Sequence, residues 1–326
     1  MTTEKRPPEK PPAPPAAVPR VRPTERVMAE VHRLIGERKF ESLNEANTFL
    51  QQALVSGRPE RRAPASPLDR AQELMYDAWE EPAPKRRAAL AKQALQISPD
   101  CADAYVLLAD ETAQTRGEAA RLYEKGVVAG ERTLGLRTFA DHAGHFWGLL
   151  ETRPYMRARL GLAQALWAMG MHQPALDHYE AMLHLNPGDN QGIRYLLAGA
   201  FAELGHDEEL EGLLEDPRFS DDGAAAWVFT RALLAFRRAG SAAGPERLLR
   251  IALSVNAHVP DYLLRRKPLP RELPGMIGFG DESEAIAYAV DFGKAWRKTK
   301  GALEWLEKAG TAGPMVKTDR KRRRKV

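Results

Sequence analysis

The sequence predicts an all-α protein built from repeated helix pairs, and three observations carry that prediction. Of its 326 residues 44% are hydrophobic but only 7% aromatic, and alanine is abundant. This composition suits close helix packing and lacks the β-branched and aromatic runs of sandwiches and barrels. Apolar residues also recur at spacings of three and four, as in Leu68, Ala71, Leu74, Met75 and Trp79, which describe one stripe along a helix. Finally, a helix, a glycine turn, a second helix and a proline stop follow one another several times along the chain.

Taken in order, residues 1–23 contain eight prolines and offer too few donors and too little apolar surface to fold. They predict a disordered arm, read as a solubilising tail or as a polyproline II ligand. Residues 24–65 predict one or two short helices broken near Gly36, with Thr24 or Ser42 placed to cap them, and then a linker running from Gly57 to Pro67. The stripe beginning at Leu68 predicts a helix over Asp69 to Glu80.

From Lys85 the pattern repeats. The segment around Ala91 reads as the second helix of a pair, closed at Pro99. A degenerate unit follows from Ala102 to Gly130, with Tyr105, Leu108, Ala109, Ala119, Ala120 and Tyr123 apolar. The clearest unit runs from Arg157 to Asn190. In it Leu162, Ala163 and Leu166 face inward, Gly170 turns the chain, Ala175, Tyr179 and Met182 face back, and Pro187 stops the second helix. This unit is about 34 residues long, and small residues at its eighth and twentieth positions, Ala163 and Ala175, let two helices approach. Gln191 to Pro217, with Leu196, Leu197 and Phe201 ahead of Gly205, is a further unit. Trp227 to Arg238 with Pro245 to Ala257 is another.

Four pairs and a half-unit before Pro99 therefore predict a tetratricopeptide-like right-handed helical solenoid over residues 66–267. The 88 residues between Pro99 and Pro187 are not a multiple of 34, so the stretch Gly130 to Pro154 is expected to hold an insertion or an irregular helix, and residues 131–153, with His142, His145, Phe146, Trp147, Glu151 and Arg153, are the first candidate for a special surface. Residues 268–311 comprise a Pro- and Gly-rich loop and a C-terminal helical cap, Glu282 to Glu307. Residues 312–326 form a basic tail, expected to be disordered.

Charge excludes more than it suggests. The formal net charge is +4, yet positions 24–311 hold 36 basic and 41 acidic residues, so the positive excess belongs to the ends. The single cysteine, Cys101, excludes an intramolecular disulfide framework and a cysteine-based zinc site. Every apolar run is too short for a membrane span, the best being Ala224 to Phe236, and the N-terminus shows no apolar core of a secretory leader. A cytoplasmic protein is expected.

The segments NAHVPDYLL (Asn256 to Leu264), the Leu-Pro-rich linker Leu269 to Pro274, GDESEAIAYA (Gly280 to Ala289) and GALEWL (Gly301 to Leu306) resemble the suppressor-of-tumorigenicity-seven family. SPDCADAYVLLAD (Ser98 to Asp110) adds a second region of similarity. The resemblance spans roughly residues 66–310 and implies a tetratricopeptide-like region serving as a protein-interaction scaffold. Animal members are expected to carry N-terminal membrane segments; the polar arm found here points instead to a soluble, bacterial-type relative.

Candidate chemistry is sparse. His142 and His145 share a helical face, with Asp141 or Glu151 to complete a metal set, but Phe146 and Trp147 equally explain the cluster as packing. His172, His178 and His184 recur every six residues and do not gather on one side. Cys101 follows Pro99 near a helix start, where the dipole favours the thiolate, yet no base accompanies it, so an inert core cysteine is the plainer reading. Neither phosphate-binding glycine motif is present, and no cofactor is expected.

With Met156 as position one of its repeat, the positions lining a concave face are Arg157, Leu160, Gln164 and Trp167. The same rule from Asn190 selects Gln191, Arg194, Ala198 and Phe201. Arg157 and Arg194 would hold a carboxylate of a bound peptide, and Trp167 and Phe201 would cover its apolar part. The expected function is a non-enzymatic scaffold or adaptor for a peptide or protein partner. Two alternatives are nucleic-acid or anionic-surface contact through Arg320, Lys321, Arg322, Arg323, Arg324 and Lys325, and a metal-dependent enzyme centred on His142 and His145.

Overall fold

Helix α3 (Pro67–Glu80) starts where the sequence supplies both a cap and a proline. Ser66 Oγ accepts from the Asp69 N–H and the Asp69 carboxylate accepts from the Ser66 N–H, both at 3.0 Å. This reciprocal box satisfies two first-turn donors, and Pro67 brings no N–H to orphan. The helix therefore begins two residues ahead of the Asp69 start that the apolar stripe predicts.

The computed structural model describes residues 23–36, 40–55 and 66–311. The arm before Pro23, much of the linker and the basic tail, including Arg320 to Lys325, lie outside the described residues. Among the described residues there is no strand. The chain divides into two units, residues 1–193 and 194–326.

In the first unit come α1 (Pro23–Gly36), α2 (Leu43–Val55), α3, α4 (Pro84–Ile97), α5 (Ala102–Thr112), α6 (Arg116–His142), α7 (Arg153–Ala168) and α8 (His172–Leu185). Thr24 falls inside the first turn of α1 rather than ahead of it, whereas Ser42 does cap α2, its Oγ accepting from the Glu45 N–H at 3.2 Å. From α3 to α8 each helix packs on the next; α3 also meets α5, α5 meets α7, and α1 lies on α3. The segment before Pro99 is thus the second half of a complete pair, α3 with α4. Their shared core is alanine-rich: Ala71, Ala78, Ala88, Ala91, Ala94 and Ala104 pack with Met75 and Cys101. Burial and the nearby Asp103 push the Cys101 thiol up to about 12, so desolvation outweighs the helix start that would favour a thiolate.

The unit Arg157 to Asn190 folds as its pattern predicts. Ala163, Ala175, Tyr179 and Met182 are buried, and Gly170 turns the chain with φ 80°, a conformation that favours glycine. The irregular stretch also has a physical account. Helix α6 runs on to His142 through a break at Gly135 (φ 65°, ψ 161°), and a 3₁₀ turn follows at Phe146–Gly148. Phe139, Phe146 and Tyr155 close over that turn, with Phe139 5.1 Å from each of the other two rings.

Helices α6 and α7 approach so closely that glycine is required. A Cβ at Gly161 would lie 2.6 Å from Tyr123 Cζ and nearer still to two other ring carbons, and the ring is held by a hydrogen bond from its hydroxyl to Asp110. Gly161→Ala should therefore destabilise the protein by about 1–3 kcal/mol, because overpacking exceeds the helix-propensity gain of about 1 kcal/mol. Gly212→Ala, at a helical position with open space around it, should be stabilising by about 0.5 kcal/mol. Urea denaturation of the pair reads the contrast; equal effects of one sign would contradict it.

The second unit contains α9 (Ile193–Leu204), α10 (Asp207–Glu215), α11 (Ala225–Ala239), α12 (Ala243–Val255), the short α13 (Val259–Leu263), α14 (Glu282–Lys298) and α15 (Ala302–Thr311). Helices α11 and α12 pair, α14 packs on α11 and α13, and α15 packs on α12, α13 and α14. The single helical segment expected over Glu282 to Glu307 is two helices, divided at Gly301 with φ 81°. Trp227 and Trp296 are fully buried. Trp305 stacks on Phe236 at 4.5 Å and donates to Glu246 at 2.8 Å.

Candidate functional site

The densest polar assembly in the first unit lies where α1 crosses α3, α5 and α7. Arg157 projects from α7, with 7% of its side chain exposed, and forms a two-pronged pair with Asp103 of α5, which is fully buried: Nε to Oδ1 2.7 Å and Nη2 to Oδ2 2.5 Å. Its remaining terminal nitrogen donates to Glu25 of α1 at 3.0 and 3.1 Å, and Arg153 stands 3.6 Å from the same carboxylate. Gln72 of α3 donates to Asp103 at 2.9 Å, and the Arg157 guanidinium lies over Trp79 with its carbon 5.3 Å from the ring centroid. Burial opposes the charge on Arg157, but Asp103, and then Glu25, hold its pKa above the ordinary value. The planar fork of arginine meets the two oxygens of Asp103 as lysine would not.

The next residue of α1 supplies the opposite charge. Arg26 donates to Asp77 at 2.7 Å, Glu80 at 3.2 Å and Glu73 at 3.4 Å, all on α3. Consecutive residues of α1 thus engage a basic patch of α7 and an acidic stripe of α3. Beside α1 lies a pocket of about 200 Å³ with a mixed lining, in which Leu68, Tyr76, Leu150, Pro154 and Tyr155 stand with Asp69, Gln72, Thr133 and Glu151, and which Ala29 and His32 of α1 border. The arrangement can hold a helix by charge and leaves a partly apolar space beside it.

The sequence-derived groove residues are arranged differently from expectation. Arg157 is buried with acids of its own chain, so its guanidinium is occupied. Arg194 belongs to the second unit and is likewise engaged, with Asp222 at 2.9 Å and its carbon 4.1 Å from the Tyr195 ring centroid. Burial works to raise the Asp222 carboxyl, but the Ala224 N–H, Tyr195 and Arg194 together hold it below the ordinary range. Phe201 and Ala198 are buried, Gln164 and Gln191 half-buried, and half-buried Trp167 packs on His172 with centroids 4.4 Å apart. His142 and His145 are exposed. Among the described residues no group of three His, Cys, Asp or Glu side chains is placed to hold a metal. Residues 131–153 do border a concavity of about 630 Å³, lined by Gly135, Leu136, Phe139, Tyr155, Arg159 and Leu185.

Sequence reasoning missed Glu25, Arg26 and Asp103, and singled out Arg153 only as part of the 131–153 cluster. One signal was present: Glu73, Asp77 and Glu80 are spaced four and three apart, which aligns them on one face of α3, opposite in sign to what an Arg in a neighbouring helix offers.

Comparison with known proteins bears on this same region. A family profile described as ST7 protein matches residues 63–145, which contain α3 to α6 and hence the acidic stripe and Asp103. The suppressor of tumorigenicity 7 protein-like of Homo sapiens is 31% identical over 256 residues, covering 72% of this chain and 44% of its own length. This chain resembles the ST7 proteins. The Bos taurus counterpart is 30% identical over 260 residues, covering 72% of this chain and 46% of its own. A protein ST7 homolog of Drosophila pseudoobscura pseudoobscura is 27% identical over 267 residues, covering 72% and 47%. The chain spans a little under half the length of these ST7 relatives. Among its described residues no helix is long and apolar enough to cross a membrane.

Proposed function

We propose that this chain is a non-enzymatic interaction scaffold of the cytoplasm, a tetratricopeptide-like right-handed helical array with α14 and α15 as its C-terminal cap. Its face formed by α3, α5 and α7 takes a helical segment of a partner protein. The observation that carries the reading is α1 itself, a helix lying on that face with Glu25 among arginines and Arg26 among carboxylates. Helix-in-groove recognition of this kind reads residues on one side of the bound helix. Contacts of α3 with α5 and of α5 with α7 make the face continuous. Similarity to the ST7 proteins adds to the fold argument; the chemistry rests on the face.

Immobilised full-length chain should capture protein partners that survive nuclease treatment. Glu73→Lys with Asp77→Lys, which reverses the acidic stripe at partly exposed positions, should reduce capture at least about fivefold, as expected when like charges face a docking arginine. An identical set of partners, read by mass spectrometry and unaffected by the reversal, would remove the α3 face from the function.

A further inference from the structure

The fit of α1 to its face is incomplete in three ways that share one cause. Val27 and Met28 remain 47% and 38% exposed, so these two apolar side chains of the helix point away from the face it occupies. The Nε of Arg26 is buried without a hydrogen-bond partner. The pocket of about 200 Å³ has Ala29 in its lining, and an alanine methyl group is too small to fill it. On a helical wheel Glu25, Arg26, Ala29 and His32 fall on one side and Val27 on the opposite side. The docked side of α1 thus carries charge matching and almost no apolar payload.

We infer that α1 is a displaceable occupant of the α3, α5 and α7 face, and that the partner is an amphipathic helix with an acidic–basic pair followed three residues later by a large apolar side chain. This rests on the proposed function and names its partner class. A 14-residue helix is marginal in water by itself, so α1 persists through its ion pairs and its tether. The tether makes this contact intramolecular, an advantage that a partner must overcome. A partner helix with Phe or Leu at the Ala29 position gains contacts that α1 forgoes by packing on Leu68, Tyr76, Leu150, Pro154 and Tyr155, the apolar part of a mixed pocket lining.

The experiment uses the full-length chain and fluorescein-labelled peptides of residues 23–36, one native and one carrying Ala29→Phe, followed by polarisation. Amide hydrogen exchange of α1 in the chain is recorded alongside. With the wild-type chain the Ala29→Phe peptide should bind roughly tenfold more tightly than the native peptide and should strip protection from α1 as it binds. A chain carrying Glu25→Arg with Arg26→Glu, whose α1 is repelled on both sides, should bind the native peptide roughly tenfold more tightly than wild type. The milder Arg26→Ala chain should fall between them.

Equal affinity of the two peptides overturns the partner motif. Equal binding by all three chains, or unchanged α1 protection in the charge-reversed chain, overturns displacement while leaving the docking face in place. Failure of both peptides to bind a chain whose α1 has lost protection overturns the face as a helix receptor, and the proposed function with it.

Discussion

Arg157→Ala is expected to destabilise the first unit by about 3–5 kcal/mol, the cost of leaving a buried charge without its partner. Asp103 is fully buried and receives two charge-assisted bonds from Arg157, and truncation removes both while the Gln72 amide still donates to it. The same change removes the nearer of the two arginines facing Glu25 and should loosen α1. Chemical denaturation reads the first effect and amide exchange over Pro23–Gly36 the second. Replacing both partners by apolar residues of similar size, Arg157→Met with Asp103→Leu, should cost markedly less than Arg157→Ala, because no charge is then buried alone. A double variant no better than the single one would show that packing, including the stack on Trp79, sets the cost.

Glu284→Ala is expected to cost about 3 kcal/mol or more in the second unit, since three buried or partly buried donors lose one acceptor group. Glu284 Oε1 accepts from the Ala225 N–H at 2.8 Å, and Oε2 accepts from Asn256 Nδ2 at 2.9 Å and the Gly280 N–H at 2.8 Å. Helix α11 has no side-chain cap from Ala224, so a carboxylate from α14 caps it instead, where the helix dipole also favours a negative group. Glu284→Gln keeps the shape but turns an NH₂ toward at least one donor in either orientation, and should cost about 1–3 kcal/mol. Guanidinium midpoints for the two variants test the order. A loss within about 0.5 kcal/mol for Glu284→Ala, the range of ordinary surface changes, would show that water replaces the carboxylate without penalty.

Both predictions turn on residues whose role the linear pattern does not reveal. Glu284 sits in the segment Gly280 to Ala289, which carries part of the resemblance to the ST7 family, but its partners Ala225 and Asn256 lie 59 and 28 positions away. Arg157 is expected from the sequence on an open concave face, whereas the structure buries it against Asp103 and Glu25. A position count within one repeat gives its helical face, whereas whether that face is open depends on a helix 132 residues earlier in the chain. Residues 131–153 show the opposite case. The spacing of proline stops announced an irregularity there, and the break at Gly135 and the turn at Phe146–Gly148 are its form.

The sequence by itself determined the helix pairs, their turns and their buried alanines. Those features depend on periodicity, caps, glycine turns and proline stops, all of which act within a few residues. It also determined that the excess positive charge sits in the ends rather than in positions 24–311. Only the tertiary structure decided which charges meet, that α1 covers the face of α3, α5 and α7, and that a pocket remains with Ala29 in its lining. Ion pairs and docked helices are set by distances through space, and one arginine looks the same in sequence whether it faces water or a buried carboxylate.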